Sequence, residues 1–98
     1  MTLQKDPENK ERKTLQRFVD FTNKRVLEIG CGEGRLTWQY AKLPSSIFAI
    51  DLDADALRVA TIDRPSDLQN KVHFLRAESE HVPFAKETFD IAVLAWSL

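Results

Sequence analysis

Val26-Leu27-Glu28-Ile29-Gly30-Cys31-Gly32-Glu33-Gly34-Arg35-Leu36-Thr37 is the stretch that decides the fold. An apolar strand, starting at Arg25 and carrying one acid, runs to Ile29, and three glycines at alternate positions then break it. Leu36, Tyr40 and Ala41, with Trp38 nearby, follow at helical spacing until Pro44 stops the pattern. A strand, a glycine turn and a helix in succession let backbone approach a ligand and aim free N–H groups at it. Spacing then separates the ligand classes. A dinucleotide turn places its third glycine five positions after the first, as G-x-G-x-x-G. Here Arg35 holds that position, and the third glycine is Gly34, four after Gly30. Arg35 puts a bulky side chain where a dinucleotide fold packs helix on strand, so a nicotinamide-dependent oxidoreductase is the lesser reading.

Working outward, Leu15, Phe18 and Val19 are spaced as one face of a helix over residues 11–21, with Phe21 on its flank and a close near Asn23. Downstream, Ile47-Phe48-Ala49-Ile50 is continuously apolar, as a parallel strand covered on both faces is. Asp53 is placed to cap a helix over 54–63, which Pro65 ends. Val72 to Leu75 predicts a third strand and Phe89 to Ala95 a fourth, with a loop through Pro83 between them. Strands alternating with helices predict an α/β fold, a Rossmann-like parallel sheet of about four strands with flanking helices. Ligands of such sheets bind at the carboxyl ends of the strands. Asp51 stands at one such end, 21 residues after Gly30, where a carboxylate can accept hydrogen bonds from two vicinal ribose hydroxyls.

The quoted stretch resembles the first motif of class I S-adenosylmethionine-dependent methyltransferases: hydrophobic strand, acid, then G-x-G-x-G. Three further segments resemble that family in the same order. Ile50-Asp51-Leu52-Asp53 is similar to the end of its second strand, Ala77-Glu78-Ser79-Glu80-His81-Val82-Pro83-Phe84 to its Gly-Asp-Ala-Glu-x-Leu-Pro-Phe segment, and Phe89-Asp90-Ile91-Ala92-Val93-Leu94 to the Phe-Asp strand. The resemblance covers about residues 25–98 and implies the cofactor S-adenosyl-L-methionine, in a sheet of order 3-2-1-4 that is the first part of a seven-stranded fold. It implies that Glu28 holds the methionine ammonium, often through water, the competing reading being a strand-end salt bridge. Gly30, Cys31, Gly32 and Gly34 then form the cofactor turn, with Cys31 a small filler. Asp51 takes the ribose and Leu52 packs on the adenine, while Asp53 remains the helix cap. Glu78, a departure from the usual Asp, accepts from the adenine amine, against the alternative of a surface carboxylate. The Ser79 N–H meets a ring nitrogen. Trp96, beside Ser97, either walls the methyl-transfer site or packs in the core. His73 is expected to be a packing or surface residue and His81 a loop residue, and no catalytic base is assigned. The segments look more like small-molecule methyltransferases than amino-methylating nucleic-acid enzymes, whose Asn-Pro-Pro-Tyr/Phe sequence is lacking.

The 98 residues are 43% hydrophobic and 30% charged, enough apolar content for one folded domain. The expected organisation is a single partial methyltransferase domain, with the N-terminal helix in 1–24 and the cofactor portion in 25–98. A net charge of -1 gives no general attraction to nucleic acid or anionic membrane, and the seven Lys/Arg among the first 25 residues are expected on a solvated helix face. One cysteine excludes an internal disulfide and suits a cytoplasmic location; no signal segment, membrane span or metal site is expected. The apolar run Ile91–Trp96 is expected at a sheet edge, where it would pair with a second copy of the chain to give a homodimer. The expected partner is a small-molecule methyl acceptor, should the fold be completed. The reading from a different class is a non-catalytic module acting through self-association or a partner chain.

Overall fold

The computed structural model describes residues 19–78 and 88–95. The predicted N-terminal helix lies almost wholly outside these residues, as do Ser79, His81, Pro83, Trp96 and Ser97. The elements are β1 (Arg25–Ile29), α1 (Arg35–Tyr40), β2 (Ser46–Asp51), α2 (Ala54–Asp63), a 3-10 turn (Ser66–Leu68), β3 (Val72–Arg76) and β4 (Ile91–Leu94). The strands form one sheet in the order β3-β2-β1-β4, every pairing parallel. This is the expected α/β architecture and strand order.

Register decides which side chains share a face. Val26 pairs with Ile47 and Ile91, and Ile47 with Val72, while Glu28 pairs with Ala49 and Val93. Those rows pack with Leu36, Tyr40 and Ala41 of the α1 region, Leu57 of α2, Leu68 and Phe21 in one buried core. Both helices therefore cover one face of the sheet. On the other face Leu27 pairs with Phe48 and Ala92, and Phe48 with His73. Phe48 stacks obliquely on His73 at 5.0 Å between ring centroids and meets Phe89 edge-on at 6.0 Å.

Boundaries differ from expectation where a specific contact takes over. α1 ends at Tyr40 instead of running to Pro44, because the chain turns to pair Leu43 N–H with the Tyr40 carbonyl and Ser45 N–H with Lys24. The predicted fourth strand begins at Phe89, whereas β4 starts at Ile91. Asp90 is occupied instead: its carboxylate accepts from the backbone N–H of Arg25 at 2.8 Å and from the Arg25 guanidinium at 3.2 and 3.1 Å. That clasp ties the starts of β1 and β4 together. The 3-10 turn was not anticipated; it follows Pro65 and buries Leu68 in the core. α2 matches its expected bounds, and the Asp53 carboxylate caps it by accepting from Asp55 N–H at 3.0 Å and Ala56 N–H at 3.1 Å.

Candidate functional site

The site is assembled where β1 and β2 end side by side. Gly30 and Cys31 both donate their backbone N–H to the carbonyl of Ile50, at 2.8 and 3.1 Å, so the turn leaving β1 is tied to the tip of β2. Asp51 is the next residue. Its carboxylate accepts from the Gly32 N–H at 2.8 Å through one oxygen and from the Asp53 N–H at 2.9 Å through the other. Each carboxylate oxygen retains a second acceptor site, so Asp51 can support the turn and still receive hydroxyl donors. Leu52 follows, 55% exposed, and Arg76 at the end of β3 holds its carbonyl through Nε at 3.0 Å.

Two of the glycines answer different needs. Gly32 has φ +56, and a Cβ built there meets nothing within 4 Å. Backbone is thus presented to open space. Gly34 has φ +88, and a Cβ there would lie 2.9 Å from the Trp38 ring. Gly34 is therefore required by packing as well as by its left-handed conformation. Beside the turn lies a pocket of about 230 Å³, bounded by Gly30, Cys31 and Gly32, by Arg35 and Leu36 of α1, and by Ala95 after β4. Ala95 is held there by its N–H, which donates to the Ile29 carbonyl at 2.8 Å.

Glu28 lies behind this turn with no solvent exposure. Its carboxylate accepts from the Thr37 hydroxyl at 2.7 Å and from the Tyr40 hydroxyl at 2.5 Å. Burial, followed by the Glu28 charge, holds the Tyr40 hydroxyl well above its usual pKa, so it remains a donor. Cys31 is buried as well, and its thiol is pushed far up by burial and then by the Glu28 and Asp51 charges. A protonated, enclosed sulfur is a filler and not a nucleophile.

The turn, Glu28, Asp51 and Leu52 converge at one end of the sheet. Glu78 is exposed just beyond β3 on the same strand-end side, and Ser79 and Trp96 lie outside the described residues. The hydroxyls of Thr37 and Tyr40 were missed as polar participants. Their spacing of three on one helix, nine and twelve residues after a lone acid in an apolar strand, was the available signal.

A parallel sheet with a glycine turn at its first strand end, a carboxylate at its second and a pocket beside the turn defines a Rossmann-like cofactor-binding domain. The chain belongs to the methyltransferase domain family, whose model matches residues 26–98. An rRNA methyltransferase of Streptomyces thermotolerans is 37% identical over 82 residues, which cover 76% of this chain and 27% of that protein. A ubiquinone biosynthesis O-methyltransferase of Hydrogenovibrio crunogenus is 34% identical over 79 residues, covering 79% of this chain and 32% of that one. The crystal structure of a SAM-dependent methyltransferase from Aquifex aeolicus superposes with a TM-score of 0.73 at 22% identity, over 84% of this chain and 45% of that one, a likeness of fold. The chain thus spans about a third of the length of the curated relatives it matches.

Proposed function

We propose that this chain is the cofactor-binding portion of an S-adenosyl-L-methionine-dependent methyltransferase. One observation carries the reading: Gly32 turns its bare Cα toward open space beside the pocket while Asp51 fixes its N–H. The residues present fit the cofactor. A Cβ at Gly32 would intrude into the cradle, Asp51 has acceptor capacity for the ribose hydroxyls, and exposed Leu52 offers an apolar surface for the adenine. Gly30, Cys31 and Gly32 would pass along the methionine portion, and Gly34 would keep the turn's shape. Glu28 would contribute its negative charge from behind the turn, toward the ammonium. Glu78 and Ser79 would complete the adenine side, and Trp96 the methyl-transfer side. When bound, the cofactor supplies a methyl group activated by its sulfonium. The chain's part is to hold that group in line with an acceptor and keep water away.

The acceptor we favour is a small molecule, since the net charge of -1 offers no phosphate-binding field. A cytoplasmic setting accords with the single buried thiol; no helix among the described residues is long and apolar enough to cross a membrane. The second reading, a module acting through association, is favoured by β4, which is the edge of the described sheet and carries Ile91-Ala92-Val93-Leu94. An apolar edge recruits another strand, and a second copy paired there would give a homodimer. Light scattering after size exclusion at micromolar concentration tests this; a monodisperse monomer refutes it.

Calorimetric titration with S-adenosylmethionine tests the main reading. One-site binding by the wild type, weakened at least tenfold in Asp51→Asn, is expected, because the amide forfeits an acceptor and about 1.5–3 kcal/mol of charge-assisted bonding. Absence of binding by the folded chain would refute it.

A further inference from the structure

Glu28 and Thr37 are joined by a 2.7 Å hydrogen bond across nine residues, and the whole glycine turn lies between them. Tyr40 adds a second bond to the same carboxylate, at 2.5 Å. All three side chains are buried. Tyr40 is itself fixed from the other side by Phe21, whose ring stacks on it at 4.6 Å with 22° between planes. Thr37 and Tyr40 are three apart on α1, so both hydroxyls project from one face of the helix.

If these positions only filled space, valine and phenylalanine would serve with the same shape and no polar group to bury. The hydroxyls are aimed instead at the two oxygens of one carboxylate. α1 has six residues, too few to hold its place by helix propensity. The staple sets the angle at which α1 leaves the turn, and with it the path of Gly30 to Gly34 and the position of Leu36 and Arg35 on the pocket wall.

We infer that Thr37 and Tyr40 are positioning residues that act through Glu28 to preset the cofactor turn before a ligand arrives. The inference rests on the cofactor reading above. It assigns the two hydroxyls a role distinct from contact with the ligand.

The test uses the full 98-residue chain as wild type, Thr37→Val, Thr37→Ser and Tyr40→Phe, in two measurements. The first is amide hydrogen exchange without ligand, comparing residues 30–34 with β2 and β3. The second is calorimetry with S-adenosylmethionine. Thr37→Val and Tyr40→Phe are expected to speed exchange in the turn about tenfold over that in β2 and β3, and to weaken binding by about the same factor, the worth of one hydrogen bond to a charged group. Thr37→Ser is expected to restore both. A folded Thr37→Val with unchanged turn exchange and affinity would overturn the inference. So would failure of serine to rescue, which would assign the effect to the methyl group, or exchange accelerating equally throughout. Should Thr37→Val not fold, Tyr40→Phe, which keeps the ring on Phe21, decides by the same criteria. A wild type that fails to bind, whatever its exchange pattern, overturns the cofactor reading and this inference with it. Binding that none of the variants alters overturns the inference alone.

Discussion

Replacing Gly34 and Gly32 by alanine, one at a time, separates what the turn does for folding from what it does for binding. At Gly34 the new Cβ would sit 2.9, 3.0 and 3.1 Å from three atoms of the Trp38 ring, closer than carbon atoms pack. Trp38 would have to move, and its edge-on contact with Phe74, 5.7 Å between centroids, would loosen. The left-handed backbone adds about 1–2 kcal/mol for a residue with a Cβ, and the lost aromatic contact about 0.5–1.5 kcal/mol. Alanine's restriction of the unfolded chain returns about 0.4–1 kcal/mol. The net is about 2 kcal/mol, or about 8–16 °C in melting temperature for a domain of this size. At Gly32 no atom lies within 4 Å of the Cβ, so only the backbone term remains. After the same offset its expected loss is about 1 kcal/mol or less. Its methyl would, however, stand in the cradle and weaken S-adenosylmethionine binding by more than tenfold. Thermal unfolding followed by circular dichroism, with calorimetry on the folded variants, reads both quantities. Equal melting temperatures for the two variants would refute the packing argument at Gly34. Unchanged affinity in Gly32→Ala would refute the cradle.

Three shorter predictions concern the rest of the chain. Asp53→Ala removes both capping bonds of α2 and should lower stability by about 1 kcal/mol in chemical denaturation, with the unfolding slope unchanged. The Asp90 carboxyl is lowered from 3.8 to about 2, first by its side-chain hydrogen bonds with Arg25 and then by the Arg25 backbone N–H. A depressed folded value means its contribution is present above 3.8 and is lost as pH falls through about 2; NMR titration of the Asp90 carboxyl should show the low midpoint, which Arg25→Met should raise. Cys31 and Tyr40 have raised folded values, so their contributions are whole below the ordinary 9.0 and 10.0 and fall away as pH rises past them. Stability should therefore drop in alkaline buffer, and a thiol reagent at pH 8 should modify Cys31 only as fast as the chain unfolds.

Much of this molecule was legible because its strongest signals are local. The short apolar runs around Val26, Ile47 and Val72 alternate with helical patterns, and that alternation is what predicts a parallel sheet. Asp53 followed by a helical pattern specifies its own cap, and the bounds of α2 came out as expected. The conformations of Gly30, Gly32 and Gly34 follow from the spacing of residues that alone adopt positive φ freely. What was not legible depends on partners distant in sequence. Asp90 read as the first polar residue of a strand, yet 65 residues away Arg25 draws it into a clasp and shortens β4. Tyr40 read as an apolar residue on a helical stripe, which is how its ring behaves against Phe21. Its hydroxyl acquires meaning only when β1 brings Glu28 beneath it. Glu28 raises a question of its own, because an acid in an apolar strand must be paired or face a polar space. Periodicity could raise that question but could not choose the partner, since the choice depends on how the turn between them bends. The turn bends as it does partly because Thr37 and Tyr40 answer the acid. The least legible part of the site is thus a loop of mutual dependence, in which each residue's role is defined by the geometry that it helps to create.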